Sequence, residues 1–469
     1  MLKATPGPVR DTVDIQALVR SGFGPLGGAC FLLLNVTDKA AARAWLGATR
    51  PTSIADLDGG HVARIIQIAI SASGLAALGV DVDAAHGFAP EYLQGMTGDP
   101  GRSQRLGDQG ANAPTHWRWG AAGEPHLLVA LYAEQDDLPA FRAEVEAALA
   151  PGFTIVTPLE TGGTPGREPF GFVDGVSQPT LDWEGNRKPG TSADQDFTNF
   201  IASGEVLLGY PDEYGLVPDR PILGDDDLGL NGTYLVLRSL AQDVDGFWNW
   251  TKAAAGEAGS QALAEAMVGR RIDGRPLDGL PEVDVPGINQ KQLNGFTYDR
   301  DGDGHICPFG GHIRRANPRT GDLPGGRRGI INALLGTLGF KGSARDDAIA
   351  STRFHRILRR GRAYGDPGGE QGLHFICLNA SLGRQFEFVQ GAWLANAKFA
   401  GLADEADPIV GSREPLPAGG ATDHFTRPNA EGPCARFAGL PRFVTVTGGG
   451  YFLLPGLNAL KLIARAKQG

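Results

Sequence analysis

The sequence predicts an α+β fold made of two similar halves, each an antiparallel sheet with helices packed on one face, as in ferredoxin-like folds. Two observations lead to this prediction. A strand-like run followed by a helical run occurs at four places in the chain, two in each half. The chain of 469 residues is also long for one hydrophobic core, so we expect two domains of roughly 200 residues each. A doubly wound α/β protein would show a similar alternation, and that alternative stays open at this point.

The four units share one pattern, in which a short apolar run is followed by a polar break and an amphipathic helix. In order, the strands are predicted at residues 30–36, 126–132, 233–238 and 373–378, and the helices at 40–46, 138–149, from near 242, and 386–395. Asp136 or Asp137 is a natural N-cap for the second helix. In the fourth helix, Phe386, Val389 and Trp393 recur at helical spacing, so we expect them to face a core.

Long loop-rich stretches lie between these units. Residues 98–124 and 161–232 are dense in Gly, Pro, Asp and Asn, and loops of this length in a compact protein are often functional. We place the boundary between the two domains inside the second stretch, which divides the chain into an N-terminal half, residues 1–225, and a C-terminal half, residues 226–469.

The bulk composition narrows the class of partner. A net charge of −10 argues against nucleic acid or an anionic membrane as the main partner. The four cysteines include no C-x-x-C pair, so neither a zinc ribbon nor a thioredoxin-type site is supported, and free buried thiols are expected. The first residues show no signal-peptide core, and the apolar run 29–34 is too short to span a bilayer, so we expect a cytoplasmic protein.

The sharpest local feature is the stretch FGFVDGVSQP at residues 170–179, in which Asp174 lies between glycines. Glycine lets the backbone approach a bulky group closely. Asp174 is therefore a candidate functional carboxylate, and the alternative is that it only caps a turn.

A second feature, CPFGGHIRRANPR at residues 307–319, combines one histidine with several arginines. A histidine such as His312 can ligate haem iron while arginines bind carboxylates such as the haem propionates. The alternative is a structural His312, with Arg314, Arg315 and Arg319 paired to acidic residues of the protein itself.

A third feature is the basic run at residues 355–365, in which the apolar pair Ile357-Leu358 suggests a strand. Alternate side chains of a strand point to opposite faces, so one of its arginines can point inward. A basic run is more often a solvated face.

Other motifs are weak or absent. Residues 299–304 imitate the start of an EF-hand loop, but Gly310 stands where a bidentate glutamate is required, so a charged turn is the better interpretation. The sequence contains no P-loop, no H-E-x-x-H and no G-x-S-x-G element.

Taken together, these motifs resemble those of the dye-decolorising peroxidase family over nearly the whole chain. Residues 171–175 match the G-x-x-D-G motif of the family, and residues 312–319 match an H-I-R-R-x-N-P-R element; the two are specific in combination. Further matching stretches are residues 14–16, 21–24, 73–79, 106–108, 231–234, 359–365 and 407–411. The long inserts resemble those of the larger members of the family.

This resemblance implies a duplicated ferredoxin-like fold of the dimeric α+β barrel type, with haem b held mainly by the second half. It makes His312 the proximal ligand of the iron, Asp174 the distal acid–base residue and Arg359 the distal arginine. Arg359 is preferred to Arg360 because of the residues that flank it, although Arg362 and its neighbour stand where a hydrophobic–proline pair is common.

The resemblance also implies further contacts with haem. The expected contact residues are Gly175, Arg315, Leu373 and Phe375. His312 needs a hydrogen-bond acceptor on its other ring nitrogen, and Asp407 and Glu387 are both candidates.

The implied activity is the reduction of hydrogen peroxide coupled to oxidation of a small organic reductant such as a dye or a phenol. A carboxylate can move a proton between the two peroxide oxygens, and a guanidinium can stabilise charge on the departing oxygen. Bulky dyes would need electron transfer to the protein surface. Trp248, Trp393 and Tyr451 are possible relays, although core packing is the commoner role of such residues.

Two alternatives stay open. One is a non-catalytic haem-binding or iron-releasing protein on the same scaffold, since a fold does not fix a function. The other is a metal-binding or interaction module without haem, with residues 299–304 as its cation site.

Overall fold

The fold is α+β and is organised around a nine-stranded sheet. The computed structural model describes residues 8–9, 11–163, 166–186, 200–278, 293–298, 300–319, 351–416 and 419–465. The strands of the large sheet are β1 (Gly28–Val36), β2 (Arg64–Ile70), β3 (Leu127–Ala133), β4 (Phe153–Glu160), β5 (Thr233–Gln242), β6 (Leu358–Arg359), β7 (Arg362–Tyr364), β8 (Gln371–Asn379) and β9 (Val444–Leu454).

The helices lie mostly between these strands. They are α1 (Lys39–Ala48), α2 (Ile54–Asp58), α3 (Ala72–Ala77), α4 (Pro90–Gln94), α5 (Pro100–Leu106), α6 (Leu138–Leu149), α7 (Val244–Val268), α8 (His312–Ala316) and α9 (Leu457–Arg465). Two π-helical segments are Gly383–Glu387 and Val389–Leu394. Single 3₁₀ turns are Ala17–Val19, Gly110–Asn112, Pro114–His116, Ser203–Glu205, Ser351–His355 and Phe399–Gly401. Three small two-stranded sheets are Thr180–Leu181 with Phe200–Ile201, Ile222–Leu223 with Asp226–Asp227, and Phe425–Arg427 with Ala435–Phe437.

The first part of the chain forms one ferredoxin-like unit. Its strands lie in the order β4-β1-β3-β2, and every pairing is antiparallel. Helix α1 follows β1 and helix α6 follows β3, so the chain order is β-α-β-β-α-β. This order is the ferredoxin-like arrangement that the sequence predicts.

The last part of the chain repeats this order. Strands β6 and β7 pair with β8, β8 pairs with β5, and β5 pairs with β9. Helix α7 follows β5 and the π-helical segments follow β8. The two units meet edge to edge where Leu453 of β9 pairs with Ile70 of β2.

The large sheet therefore rules out the doubly wound alternative, because its described pairings are all antiparallel. The domain boundary near residue 225 stays a prediction.

The N-terminal cap of the second predicted helix differs from the prediction. Helix α6 spans the predicted residues and is preceded by Asp137 as its N-cap, but the Asp137 side chain bonds no helix N–H. It accepts instead from the Nε and Nη2 atoms of Arg64, each at 2.6 Å. The Asp137 carboxylate therefore binds Arg64 of strand β2 and not the N–H groups of the helix, so the predicted capping bond is wrong.

The sheet is buried on both faces. Leu32 and Leu34 of β1 pack in one hydrophobic cluster, while Phe31 and Leu33, which point the other way, pack in a second. Because both faces are covered, β1 is an unbroken apolar run rather than an alternating one. A third cluster surrounds helix α7 and includes Phe170 and Phe172 of the glycine-flanked loop.

The cysteine prediction is confirmed for three of the four residues. Cys30, Cys307 and Cys377 are buried and free, whereas Cys434 is free but exposed. Among the described residues, no helix is long and apolar enough to cross a membrane.

Candidate functional site

A cavity of about 260 Å³ lies against the sheet of the second unit. It is lined by side chains of β5, β8 and β9, of the π-helical segments and of helix α8, and by the loop at residues 168–177. Five of the predicted site residues line this one cavity: His312, Asp174, Arg359, Leu373 and Phe375. The fold thus brings together residues that lie up to about 200 positions apart in the sequence.

Asp174 is carried on a loop shaped by its glycines. Gly171 and Gly175 have φ angles of 99° and 80°, which are costly for any other residue. The Oδ1 atom of Asp174 accepts the N–H of Gly175 at 2.6 Å and the Nη1 of Arg359 at 3.1 Å. The carboxylate therefore both braces its turn and faces the cavity. Gly175 itself does not line the cavity, although its two neighbours do.

Arg359 is the last residue of strand β6 and Arg360 follows it, and their side chains point in opposite directions. Arg359 lines the cavity and contacts Asp174. Arg360 instead donates to the carbonyls of Leu18 and Val19. The alternation expected for a strand therefore separates the two guanidinium groups, and only Arg359 reaches the site.

His312 begins helix α8 and lines the cavity. Its Nδ1 lies 3.0 Å from the Oδ2 of Asp407, which is fully buried. Because a carboxylate can only accept, Nδ1 carries a proton, and in the neutral form of the ring Nε2 keeps a lone pair. Glu387, the other candidate partner, bonds Arg102 and Tyr451 instead.

The pKa of Asp407 is below its usual range. Burial by itself raises this pKa, but the charge and hydrogen bond of His312, the charge of Arg315 and the N–H of Val410 together outweigh it. The Oδ1 atom accepts the N–H groups of Ile409 and Val410, each at 2.9 Å. Asp407 is therefore a fixed anion behind the imidazole, which is the arrangement that orients metal-binding histidines.

Arg315 does not reach the cavity, which corrects its predicted contact with haem. The side chain is fully buried. It donates to the carbonyls of Trp393, Leu394, Asn396 and Glu405. Since these carbonyls engage both terminal nitrogens, Arg315 ties helix α8 to the π-helical segment and is not directed at a ligand.

The other arginines of this motif are structural too. Arg314 bonds Asp301 at 2.8 Å and lies over the Phe309 ring. Arg319 donates to the carbonyls of Asn294 and Phe296. The alternative of pairing with an acidic residue therefore holds for Arg314, whereas Arg319 is held by backbone carbonyls and not by an acid.

Three other arginines line the cavity and were not found from the sequence, namely Arg238, Arg270 and Arg356. Arg270 donates to the Ser177 hydroxyl at 2.8 Å, and Arg356 lies four residues after Thr352 in the segment that leads to β6. Burial lowers the pKa of Arg270 to about 10 and that of Arg356 to about 9. Arg270 belongs to no motif, so only the tertiary structure reveals it.

A second histidine, His355, also lines the cavity. Its ring stacks on Phe388 with centroids 3.7 Å apart, and its Nδ1 bonds the carbonyl of Arg384. Burial lowers the pKa of His355. Unlike His312, it has no carboxylate behind it.

Two polar residues of the loop stretch were also missed. Gln178 accepts the backbone N–H of Arg359 through Oε1 at 3.0 Å, so the loop that carries Asp174 also holds Arg359. Glu168 lines the cavity from the other end of the loop. The sequence feature that could have identified them is their position on either side of the G-x-x-D-G motif.

Two of the three aromatic relay candidates are buried, and the third, Trp248, is partly buried against the cluster around helix α7. Trp393 and Tyr451 are buried, and the Tyr451 hydroxyl bonds Glu387. Trp248 donates its indole N–H to the carbonyl of Phe170. Packing accounts for each of them.

The residues around the cavity suit a haem group. An imidazole with a free Nε2 is a haem ligand. Leu373 and Phe375 provide apolar wall, and the cations Arg270 and Arg356 suit carboxylates. No cluster of His, Cys, Asp and Glu that could hold a bare metal ion occurs in the described ranges, and Asp299 of the EF-hand-like stretch lies outside them.

Curated relatives align with most of the chain. The multifunctional dye peroxidase DyP2 of Amycolatopsis sp. is 29% identical over 423 residues, which cover 84% of this chain and 81% of the relative. The dye-decolorizing peroxidase msp1 of Mycetinis scorodonius is 27% identical over 464 residues, covering 92% and 84%. No family model matches the chain.

Solved structures agree with these relatives. A dye-decolorizing peroxidase in complex with 2,6-dimethoxyphenol has a TM-score of 0.73 and 25% identity, and the match covers 97% of this chain and all of that one. A decolorizing peroxidase of Auricularia auricula-judae, with a TM-score of 0.75, 24% identity and coverage of 97% and 100%, shows the fold alone. The fold, the cavity and the relatives together define a haem peroxidase, an oxidoreductase that acts on peroxide. Over most of its length the chain is similar to dye-decolorising peroxidases.

Proposed function

We propose that the protein binds haem b through His312 and reduces hydrogen peroxide with Asp174 as acid–base residue and Arg359 as charge-stabilising residue. The observation that carries this proposal is the contact between Arg359 and Asp174, 3.1 Å long, in the cavity that His312 also lines.

Each side chain has a defined task. Haem, when bound, supplies the redox chemistry that peroxide reduction needs. Asp174 accepts the proton of the inner peroxide oxygen and returns it to the outer one, which leaves as water. Arg359 donates to the outer oxygen as charge develops there, and its contact with Asp174 keeps the two groups in one place. His312, held by Asp407, offers Nε2 to the iron.

The reductants that we propose are small organic molecules such as phenols and dyes. The names of the relatives support this class, since one is a multifunctional dye peroxidase and one structure contains 2,6-dimethoxyphenol. Two molecules of such a reductant give one electron each for every peroxide reduced to water.

The decisive experiment replaces Asp174 by asparagine, which keeps the shape but removes the base. We expect the second-order rate of the peroxide-induced change in the Soret band to fall by about 10²–10⁴-fold while the band itself is retained. Stopped-flow absorption of the haem-reconstituted protein measures this rate. Asp38→Asn is the matched control, because Asp38 only caps helix α1 and asparagine caps equally well.

The main alternative is a haem-binding protein without peroxidase activity. It predicts that the parent protein has a stable Soret band that does not respond to peroxide. If Asp174→Asn instead reacts as fast as the parent, peroxide chemistry stands and the role assigned to Asp174 is wrong.

A further inference from the structure

Glu168 is a half-buried carboxylate in the cavity wall that the proposed reaction does not use. It stands six residues before Asp174, at the start of the loop that carries it. Its Oε1 accepts the N–H of Phe172 at 2.9 Å, and its Oε2 accepts the N–H of Phe170 at 3.0 Å. The Glu168 carboxylate therefore lies inside the turn and replaces the missing backbone acceptors of that turn.

A third donor ties this carboxylate to the other half of the molecule. The side-chain amide of Gln242, at the end of strand β5, donates to Oε2 at 2.8 Å. Gln242 pairs with strands β8 and β9 on its two sides, so it belongs to the rigid sheet. Glu168 is thus one of the points at which the loop from the first half is fixed to the sheet of the second half, beside Gln178.

The backbone of the loop runs directly from this anchor to Asp174. The backbone N–H of Glu168 donates to the carbonyl of Phe172. The N–H of Asp174 is bonded to the carbonyl of Gly166. A rotation of the turn at Glu168 would therefore move Asp174 relative to Arg359.

Ionising the Glu168 carboxyl group at this position costs free energy. Burial raises the pKa of Glu168 to about 7, against the hydrogen bonds of Gln242, Phe172 and Phe170, which lower it. Asp174, the nearby anion, raises it further. The other charged or titratable groups that line the cavity are Arg238, Arg270, His312, His355, Arg356 and Arg359.

We propose that Glu168 is a positioning residue, whose carboxylate holds the N–H groups of Phe170 and Phe172 and the amide of Gln242 so that Asp174 meets Arg359 in the reactive geometry. This inference rests on the acid–base role proposed for Asp174.

Glu168→Gln tests it, because glutamine keeps the volume but presents one acceptor oxygen to three donors. Loss of a hydrogen bond to a charged group should slow the peroxide-induced Soret change by about tenfold, with the haem content unchanged. Hydrogen exchange of the Phe170 and Phe172 amides in the haem-loaded protein should become faster, which reports on the loop without reference to activity.

Glu124→Gln is the matched control. Glu124 is equally buried, its pKa is also raised to about 7 by burial, and it accepts the N–H groups of Met96 and Tyr451. It does not line the cavity. We expect Glu124→Gln to change thermal stability but neither the peroxide rate nor the exchange of the loop amides.

The outcomes separate this inference from the proposed function. A slow Asp174→Asn variant beside a Glu168→Gln variant within twofold of the parent would overturn the positioning role alone. A fast Asp174→Asn variant would overturn the acid–base role on which it rests. If Glu168→Gln fails to bind haem, Gln242→Leu decides: it removes one donor only, and a rate equal to that of the parent contradicts the proposal.

Discussion

At the scale of single residues, charge partners separate functional from structural side chains. His312 and His355 both line the cavity, yet only His312 has a buried carboxylate behind its Nδ1. Arg315 and Arg359 both belong to motifs, yet Arg315 is surrounded by carbonyls of the main chain. What lies behind a side chain therefore matters as much as the motif that contains it.

The histidine pair gives a direct test of the iron ligand. His312→Ala should abolish the Soret band of the reconstituted protein, because Asp407 would then face an empty space instead of an oriented imidazole. His355→Ala is the matched control and should retain the band. The measurement is the Soret absorbance after haem titration. A retained band in His312→Ala together with a lost band in His355→Ala would reverse the assignment.

The sequence predicted these residues unevenly for a physical reason. Asp174, Arg359 and His312 lie in local motifs, so their neighbours identify them. Arg270 lies in no motif, and its place in the cavity wall depends on the tertiary structure. The partner of His312 stayed undecided between Asp407 and Glu387, because only the folded chain shows which carboxylate stands behind the ring.

At the scale of elements, the strand predicted at residues 373–378 was more accurate than the helix predicted after it. Strand β8 extends the predicted residues 373–378 by only three positions. The predicted helix at 386–395 is instead two π-helical segments, shown by the bonds from Glu387 to Leu382 and from Ala395 to Gln390. Hydrophobic spacing cannot distinguish i→i+4 from i→i+5 bonding over two turns. Such π segments often occur at functional sites, and this one forms part of the cavity wall.

The loop that carries Asp174 gives a prediction at this scale. Gly175→Ala adds a methyl group that meets no atom within 4 Å, but it must keep a φ of 80°. The strain should lower the free energy of unfolding by about 1–2 kcal/mol, and it should slow the peroxide reaction because the Gly175 N–H braces the Asp174 carboxylate. Urea unfolding and stopped-flow absorption measure the two effects.

Gly224→Ala is the control for this substitution. Gly224 has a φ of 59° and equally open surroundings, but it lies in the small hairpin of Ile222–Leu223 and Asp226–Asp227. It should lose similar stability at an unchanged peroxide rate. Equal slowing in both variants would show that strain alone, and not the bracing of Asp174, controls the rate.

At the scale of the whole molecule, the duplicated fold places the site at the meeting of its two halves. The second unit provides His312, Arg359 and the apolar wall, and the first half provides the loop with Asp174. Duplication was predictable because the strand–helix pattern recurs along the chain. The joining of both sheets at β2 and β9 was not, since one pair of residues forms that contact.

The interior of the molecule also holds carboxyl groups that sequence patterns do not mark. Burial raises the pKa of Glu124 and Glu168 to about 7, and that of Glu205 as well, despite the charge of Arg384 beside Glu205. A folded-state pKa above the ordinary value means that the folded protein binds more protons than the unfolded chain. The contribution of these carboxyl groups to the free energy of unfolding is then fully present below about pH 4.5 and is lost as the pH rises through about 7. Buried His374, whose pKa burial lowers to about 4, acts in the opposite direction.

Glu124→Gln isolates one of these contributions, because glutamine carries no proton that folding can shift. The melting temperature of the variant minus that of the parent should increase by several degrees between pH 5 and pH 7.5, since only the parent must ionise a buried carboxyl over this range. Differential scanning fluorimetry at matched ionic strength measures it. Glu134→Gln changes an exposed carboxylate and should give a constant difference. If the difference in melting temperature for Glu124→Gln does not change with pH, the folded protein ionises Glu124 at little cost. Burial of this carboxyl group would then not govern how the stability of the protein depends on pH.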